Sequence, residues 1–294
     1  MARMGIIGLL MPALLSGATL PVARGAIVVA SESGVDAYAE ALEGLDAALG
    51  SGPMRVVDVR SGGAALAGAL AAVDVQLVIA VGGPALAEVQ LRKPAVPVVA
   101  TMVLHGAPGQ ATAWVYLDVP LSAQLEGMRS LWPQRRRVGI IRNPAHATDS
   151  AETLESRARR EGFTAQVVDC DGPARLLKAL ASLRNKVDFL LCYPDPDLYN
   201  SVTIKPLVLA SIEGRLPLVG FSPAFVRAGA AAGIYADYRE IGRMTAETAL
   251  RLLRGENGSG EDSSRKIRMA VNQRVMRLLG VEFHTGDFPV EVFR

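Results

Sequence analysis

From Ala26 onward two hydrophobic patterns alternate along the chain. Short unbroken runs of Val, Ile, Leu and Ala are followed by longer stretches in which Ala and Leu recur at helical spacing. Residues 26–30, 55–59, 77–81 and 96–100 read as strands, with helices over 36–49, 64–72 and 84–90 between them. The runs are apolar on both faces, which is the mark of parallel strands covered by helices on either side. A second series follows, with strands over 138–142, 165–170, 189–193, 216–221 and 231–235. Its intervening helices are 150–161, 175–183, 200–213 and 225–228. Two such series of similar length predict an α/β protein of two lobes, each built on a parallel sheet. The tail adds a helix over 241–254, a polar loop over 256–264, a strand over 267–271 and a helix over 273–279. That is more than one lobe needs, so the chain is expected to cross between lobes more than once through a hinge of several strands.

Composition agrees with this outline. A chain of 294 residues, 50% hydrophobic and 20% charged, can bury two cores of ordinary domain size. A net charge of +2 gives no reason to expect a nucleic-acid or membrane-surface partner. Only five of the 31 basic residues are Lys. The start has the parts of an export signal: Arg3, an apolar run over 4–15 interrupted by Pro12, then Ser16-Gly17-Ala18. Cleavage is expected before Thr19 or before Ala26; the loss of both Arg3 and Arg24 leaves 29 basic residues against 29 acidic ones. No Cys lies near either point to carry a lipid, so the expectation is a periplasmic protein without an anchor. The two cysteines, Cys170 and Cys192, end strands that would flank the strand at 138–142 on opposite sides. That separation, about 9–10 Å at twice the strand spacing, is beyond disulfide reach, and two free buried thiols are expected.

Ligands of open parallel sheets gather beyond the carboxyl ends of the strands. The residues there are hydroxyls, glycines and single carboxylates, suited to a small polar ligand, although each alone could equally cap a helix or shape a turn. The candidates are Ser31, Gly82, Gly83 and Thr101 from the first series, and Asn143, Asp195, Ser222 and Tyr235 from the second. Amides near Gly82 would take a carboxylate and Asp195 an amine. Catalytic patterns are missing. His105, His146 and His284 have no metal-ligand spacing. Gly220-Phe221-Ser222-Pro223-Ala224 lacks the second Gly of a nucleophile elbow. The glycine pairs at 62–63 and 82–83 match no nucleotide loop. No enzyme, cofactor or metal is expected.

Four segments carry a resemblance: Asp195-Pro196-Asp197-Leu198-Tyr199-Asn200, Leu216-Pro217-Leu218-Val219-Gly220-Phe221-Ser222, Phe225-Val226-Arg227-Ala228-Gly229-Ala230 and Asp237-Tyr238-Arg239-Glu240-Ile241-Gly242-Arg243. In this order and spacing they resemble the ABC-transporter substrate-binding proteins, the family with aromatic amino-acid-binding members. The resemblance implies a type I periplasmic binding protein, or venus flytrap, with two Rossmann-like lobes. It also implies an amino-acid-like or other small polar solute in the cleft, and an ABC permease as partner. A membrane sensor is the alternative partner, and the chain is expected to act as a monomer. The expected division is a signal peptide at 1–25, a first lobe of 26–118 plus 236–257, and a second of 119–235 plus 258–294. Many members carry a Pro-Thr-Asp-Asn-like segment at the cleft where this chain has Pro194-Asp195-Pro196-Asp197. The amino-acid specificity of those members is therefore not carried over.

Overall fold

The computed structural model describes residues 26–294 apart from 51, 53, 108, 257–260 and 287. The export signal expected at 1–25 lies outside the described residues. Along the first lobe run β1 (Ala26–Ser31), α1 (Asp36–Leu49), β2 (Met54–Asp58), α2 (Gly63–Leu70), β3 (Val75–Val81), α3 (Gly83–Arg92), β4 (Val98–Val103) and β5 (Ala113–Tyr116). The second lobe follows with α4 (Leu121–Leu131), β6 (Arg137–Arg142), α5 (Ala151–Arg160), β7 (Thr164–Asp169), α6 (Pro173–Leu183), β8 (Phe189–Cys192), α7 (Ile204–Glu213), β9 (Leu218–Gly220), α8 (Pro223–Arg227) and β10 (Ala232–Ala236). The chain then returns to the first lobe as α9 (Tyr238–Leu253) and β11 (Glu261–Ser263). It ends in the second with β12 (Ile267–Asn272), α10 (Gln273–Leu279) and β13 (Val290–Phe293).

Two mainly parallel sheets result, ordered β11-β5-β4-β3-β1-β2 and β13-β12-β10-β9-β8-β6-β7. Among the described strands only the β10–β12 junction is antiparallel. The two-sided burial expected of parallel strands is seen residue by residue in the central strands, while the edge strands β2 and β7 are only partly covered. Ile27 and Val29 point into one apolar cluster with α1 and α9, while Val28 and Ala30 point into another with α2 and α3. Ile140 and Ile141 divide the second lobe's core in the same way. Each such Val or Ile side chain, fully buried, contributes about 1.5–3 kcal/mol.

Three differences from the sequence reading matter. Strand β5 and helix α4 occupy a stretch that had no assigned element. Residues 261–263, expected in a loop of the second lobe, pair with β5 as the edge of the first sheet. The last crossing between lobes therefore falls at 264–266, after β11, and not at 257–258. A third strand, β13, pairs with β12 at the other edge. Altogether the chain crosses at 117–120, 236–237 and 264–266. The last two crossings are joined by Asp237 N–H donating to the Lys266 carbonyl at 2.9 Å and by Lys266 Nζ on Asp237 at 3.4 Å.

Helices α1 and α9 are in close contact along their length. The α9 face turned to α1 and the sheet is rich in small and β-branched residues, among them Gly242, Ala246 and Ala249. At Gly242 a methyl group would overlap the Ala41 carbonyl oxygen and stand 2.7 Å from Leu45 N. Such contact is available only where neither helix offers a side chain between the backbones.

Strand β6 separates β7 from β8, and Cys170 and Cys192 are both free and buried. Burial pushes the Cys192 thiol up to about 12, only partly offset by the Tyr199 hydroxyl beside it. Tyr199 is likewise held well above its ordinary range by burial. A thiol reagent at pH 8 should label the native protein far more slowly than the unfolded, unreduced protein, which should yield two thiols. Both groups ionise more readily once unfolded. Their linkage is therefore silent at neutral pH, and stability falls as pH rises from about 9 toward 12. A urea midpoint that stays constant over that range would contradict this.

Candidate functional site

The carboxyl ends of the two sheets face each other across a cleft. A cavity of about 770 Å³ takes its walls from Tyr38, Gly83 and the segment after β4 in the first lobe. The segments after β6 and β8 form the opposite walls. A second space of about 440 Å³ continues beneath the crossing segments, lined by Val119, Leu121, Phe221, Ile234 and Tyr235 among others. Both share Leu104, His105, Leu117, Asp118, Thr148, Asp149, Tyr193 and Pro194, so they form one cleft with a waist.

The first-lobe wall is set by an irregularity in β4. The register with β5 shifts between Thr101 and Val103, and Met102 there takes a left-handed backbone, φ +56°. That conformation is disfavoured for a residue with a Cβ, and it sends the chain over the cleft. His105 is then held by Asp118, which accepts from His105 N at 2.6 Å and contacts Nδ1 at 3.0 Å. The His105 ring stacks on Tyr116 at 3.6 Å between centroids. Gly82, φ +85°, packs directly against the ring of Tyr38, and an added Cβ would come 2.5 Å from its Cζ.

The second-lobe wall is a network. Arg142 bonds Asp169 at 2.7 Å and the Asp149 carbonyl at 2.8 Å, while Asp149 Oδ2 takes Arg157 at 2.5 Å. Asp195 is buried. Its Oδ1 accepts from Asp197 N at 2.9 Å and Leu198 N at 2.8 Å, closing the turn after β8. Its Oδ2 meets His146 Nδ1 at 3.0 Å. His146 Nε2 lies 3.7 Å from Asp197, so one imidazole stands between two carboxylates, with Asn143 alongside. Donor atoms of His146, Asp195 and Asp197 lie within 4.8 Å of one another, close enough to share a cation. Tyr193 has a buried hydroxyl without a hydrogen-bond partner. Leaving such a group unsatisfied costs about 1–3 kcal/mol.

Of the eight residues chosen from sequence, Gly83, Asn143 and Asp195 line the larger space and Tyr235 the smaller. The other four line neither, for physical reasons. Ser31 is buried at the end of β1 and its hydroxyl is unpartnered. Gly82 is covered by Tyr38. Thr101 points away from the cleft, its hydroxyl 2.7 Å from that of Thr245 on α9. Ser222 caps α8, its Oγ accepting from Phe225 N at 3.2 Å. Sequence reasoning missed Tyr38, His105, Asp118, His146, Asp149 and Tyr193. The rule of strand carboxyl ends would have found Asp118 had β5 been recognised. His146 was set aside because its neighbours come from a distant loop.

Known proteins agree with the architecture. One similar structure is the ligand-free, open form of a substrate binding protein with adhesive properties from Clostridium difficile. It has a TM-score of 0.66 at 17% identity, covering 92% of this chain and 99% of that one. Another is an ABC domain in complex with L-Trp from Streptococcus pneumonia, with a TM-score of 0.59 at 15% identity, covering 92% and 100%. At these identities the likeness is one of fold, that of type I periplasmic binding proteins. A tyrosine-binding protein of Clostridioides difficile strain R20291 is 23% identical over 144 residues, which span 48% of this chain and 41% of that relative. Residues 64–285, most of both lobes with the cleft between them, match the model of the family described as ABC transporter substrate binding protein. The alternation of strands and helices, the two sheets and the shared cleft thus have one source: the chain belongs to the ABC transporter substrate-binding protein family.

Proposed function

We propose that this protein captures a small, polar, amino-acid-like solute between its lobes and presents it to an ABC permease outside the cytoplasm. The observation that carries the reading is the single cleft at the carboxyl ends of both sheets, walled by both lobes and spanned by three crossings. A ligand touching both walls favours the closed arrangement by the difference in its contacts between open and closed forms. The tyrosine-binding relative and the L-Trp complex support an amino-acid-like solute. Gly83, Asn143, Asp195 and Tyr235 are proposed contacts. Tyr38, Tyr193 and Phe221 offer ring faces for an apolar part of the solute. Export through a cleaved signal fits the basic start and apolar run at 4–15, and no helix among the described residues is long and apolar enough to cross a membrane.

Native mass spectrometry of protein purified without denaturation should show a bound small molecule. Calorimetric titration of the stripped protein should then give one-to-one binding to L-tyrosine, L-tryptophan or a related amino acid. A chain that emerges solute-free and gives no heat with any of the common L-amino acids would remove this reading.

A further inference from the structure

Tyr193 follows directly on β8, and it stands in the waist shared by the two spaces of the cleft, together with Asp118 and Asp149. Its hydroxyl is buried and has no hydrogen-bond partner among the described residues. Buried polar groups are nearly always paired, so an unpaired one in a ligand cleft marks a place where a partner binds. Burial, reinforced by Asp149 and Asp118 and opposed by Arg157, holds this phenol well above its ordinary range, so it stays a neutral O–H.

One of the two carboxylates at the waist comes from the first crossing and the other from the second lobe, and each has one oxygen already engaged. Asp118 Oδ2 serves the backbone and ring of His105, while Asp149 Oδ2 serves Arg157. Among the described residues no donor reaches the second oxygen of either. Against them stand the guanidiniums of Arg157 and Arg142, the second already paired with Asp169, so carboxylates outnumber guanidiniums by one. Asp195, the carboxylate that sequence alone marks for an amine, has both oxygens engaged by its own turn and by His146.

On the reading that the cleft takes a solute, the geometry points to a primary ammonium seat at this waist, formed by Tyr193 Oη with the free oxygens of Asp118 and Asp149. Three acceptors match three N–H donors, and a charge buried there is paired instead of stranded. Because Asp118 lies on the first crossing and is fastened to His105 of the first lobe, while Asp149 and Tyr193 belong to the second, the ammonium group links the two lobes and draws them together. The body of the solute is then free to extend into the apolar-walled space toward Phe221 and Tyr235.

The test is a titration of stripped protein with L-tyrosine and with N-acetyl-L-tyrosine, which lacks only the charged amine. L-tyrosine should bind one to one, and the acetylated compound at least 100-fold more weakly. Tyr193→Phe should weaken L-tyrosine at least tenfold while leaving the ligand-free melting temperature unchanged or higher, since it removes an unsatisfied group. Asp118→Asn should weaken binding at least tenfold as well. Equal affinity for the two compounds, or unaltered affinity in both variants, overturns the ammonium seat and leaves solute binding standing. No binding of either compound, or of any common L-amino acid, overturns both.

Discussion

Replacing Gly242 by leucine should lower stability by about 3–5 kcal/mol or prevent folding altogether, the upper range for an overpacked buried site. Even alanine at this position is expected to cost about 1–3 kcal/mol. The reason is that the obstacle is backbone. A Cβ on Gly242 meets the Ala41 carbonyl, and one on Gly44 meets the Arg239 carbonyl across the same contact, so no rotamer change relieves either. The helices must separate, and Ala41 and Leu45 lose their cover. Gly68 on α2 is the control. It is exposed with nothing within 4 Å of an added Cβ, so Gly68→Ala should stabilise by about 0.5–1 kcal/mol through helix propensity. Urea melts of the three variants measure the contrast, and equal small effects at Gly242 and Gly68 would refute the close-contact account.

The second large effect is expected at Asp195. Asp195→Ala strips the acceptor from two backbone N–H groups in the turn after β8 and leaves His146 facing Asp197 alone. The loss should be about 1–3 kcal/mol of ligand-free stability, with solute affinity at least tenfold lower because the cavity wall loses its shape. Asp195→Asn separates the two roles. Its amide oxygen can still accept from Asp197 and Leu198, so most stability should return. Any affinity still missing then reports the charge alone. An alanine variant with unchanged melting and unchanged affinity would deny the turn both of its assigned roles.

The parts of the fold that could be read in advance are those with repeating patterns. Helix α1 occupies Asp36–Leu49 and helix α10 Gln273–Leu279, each as spacing predicted. The parallel strands stood out because both their faces are buried, which writes an unbroken apolar run into the chain. Elements with less to bury were harder. Strand β5 has four residues after a stretch of Gly, Gln and Ala. Helix α4 begins behind Pro120 without a capping side chain, although Leu121, Leu125 and Met128 hold the helical period. Strand β11 is Glu-Asp-Ser, with no hydrophobic residue at all, and it pairs with β5 in parallel register. The binding wall was legible as a location and less so as a residue set. Strand ends mark the cleft, but which way Thr101 or Ser222 turns depends on α9 and α8, and the meeting of His146 with Asp195 depends on two loops far apart in sequence.

The α1–α9 contact has a bearing on how the protein is made. Helix α1 is synthesised well before α9, and its cover arrives only after nearly the whole second lobe has been translated. A lobe closed by its own late segment has high contact order, and its folding is slow compared with that of a locally connected domain. Until Tyr238–Leu253 emerges, Ala41 and Leu45 are bare, and a nascent or truncated chain ending earlier exposes a sticky face that invites chaperones or aggregation. The first lobe is thus a spatial unit without being a unit of biosynthesis: a fragment stopping at residue 118 would carry most of its strands and still lack the helix that seals it.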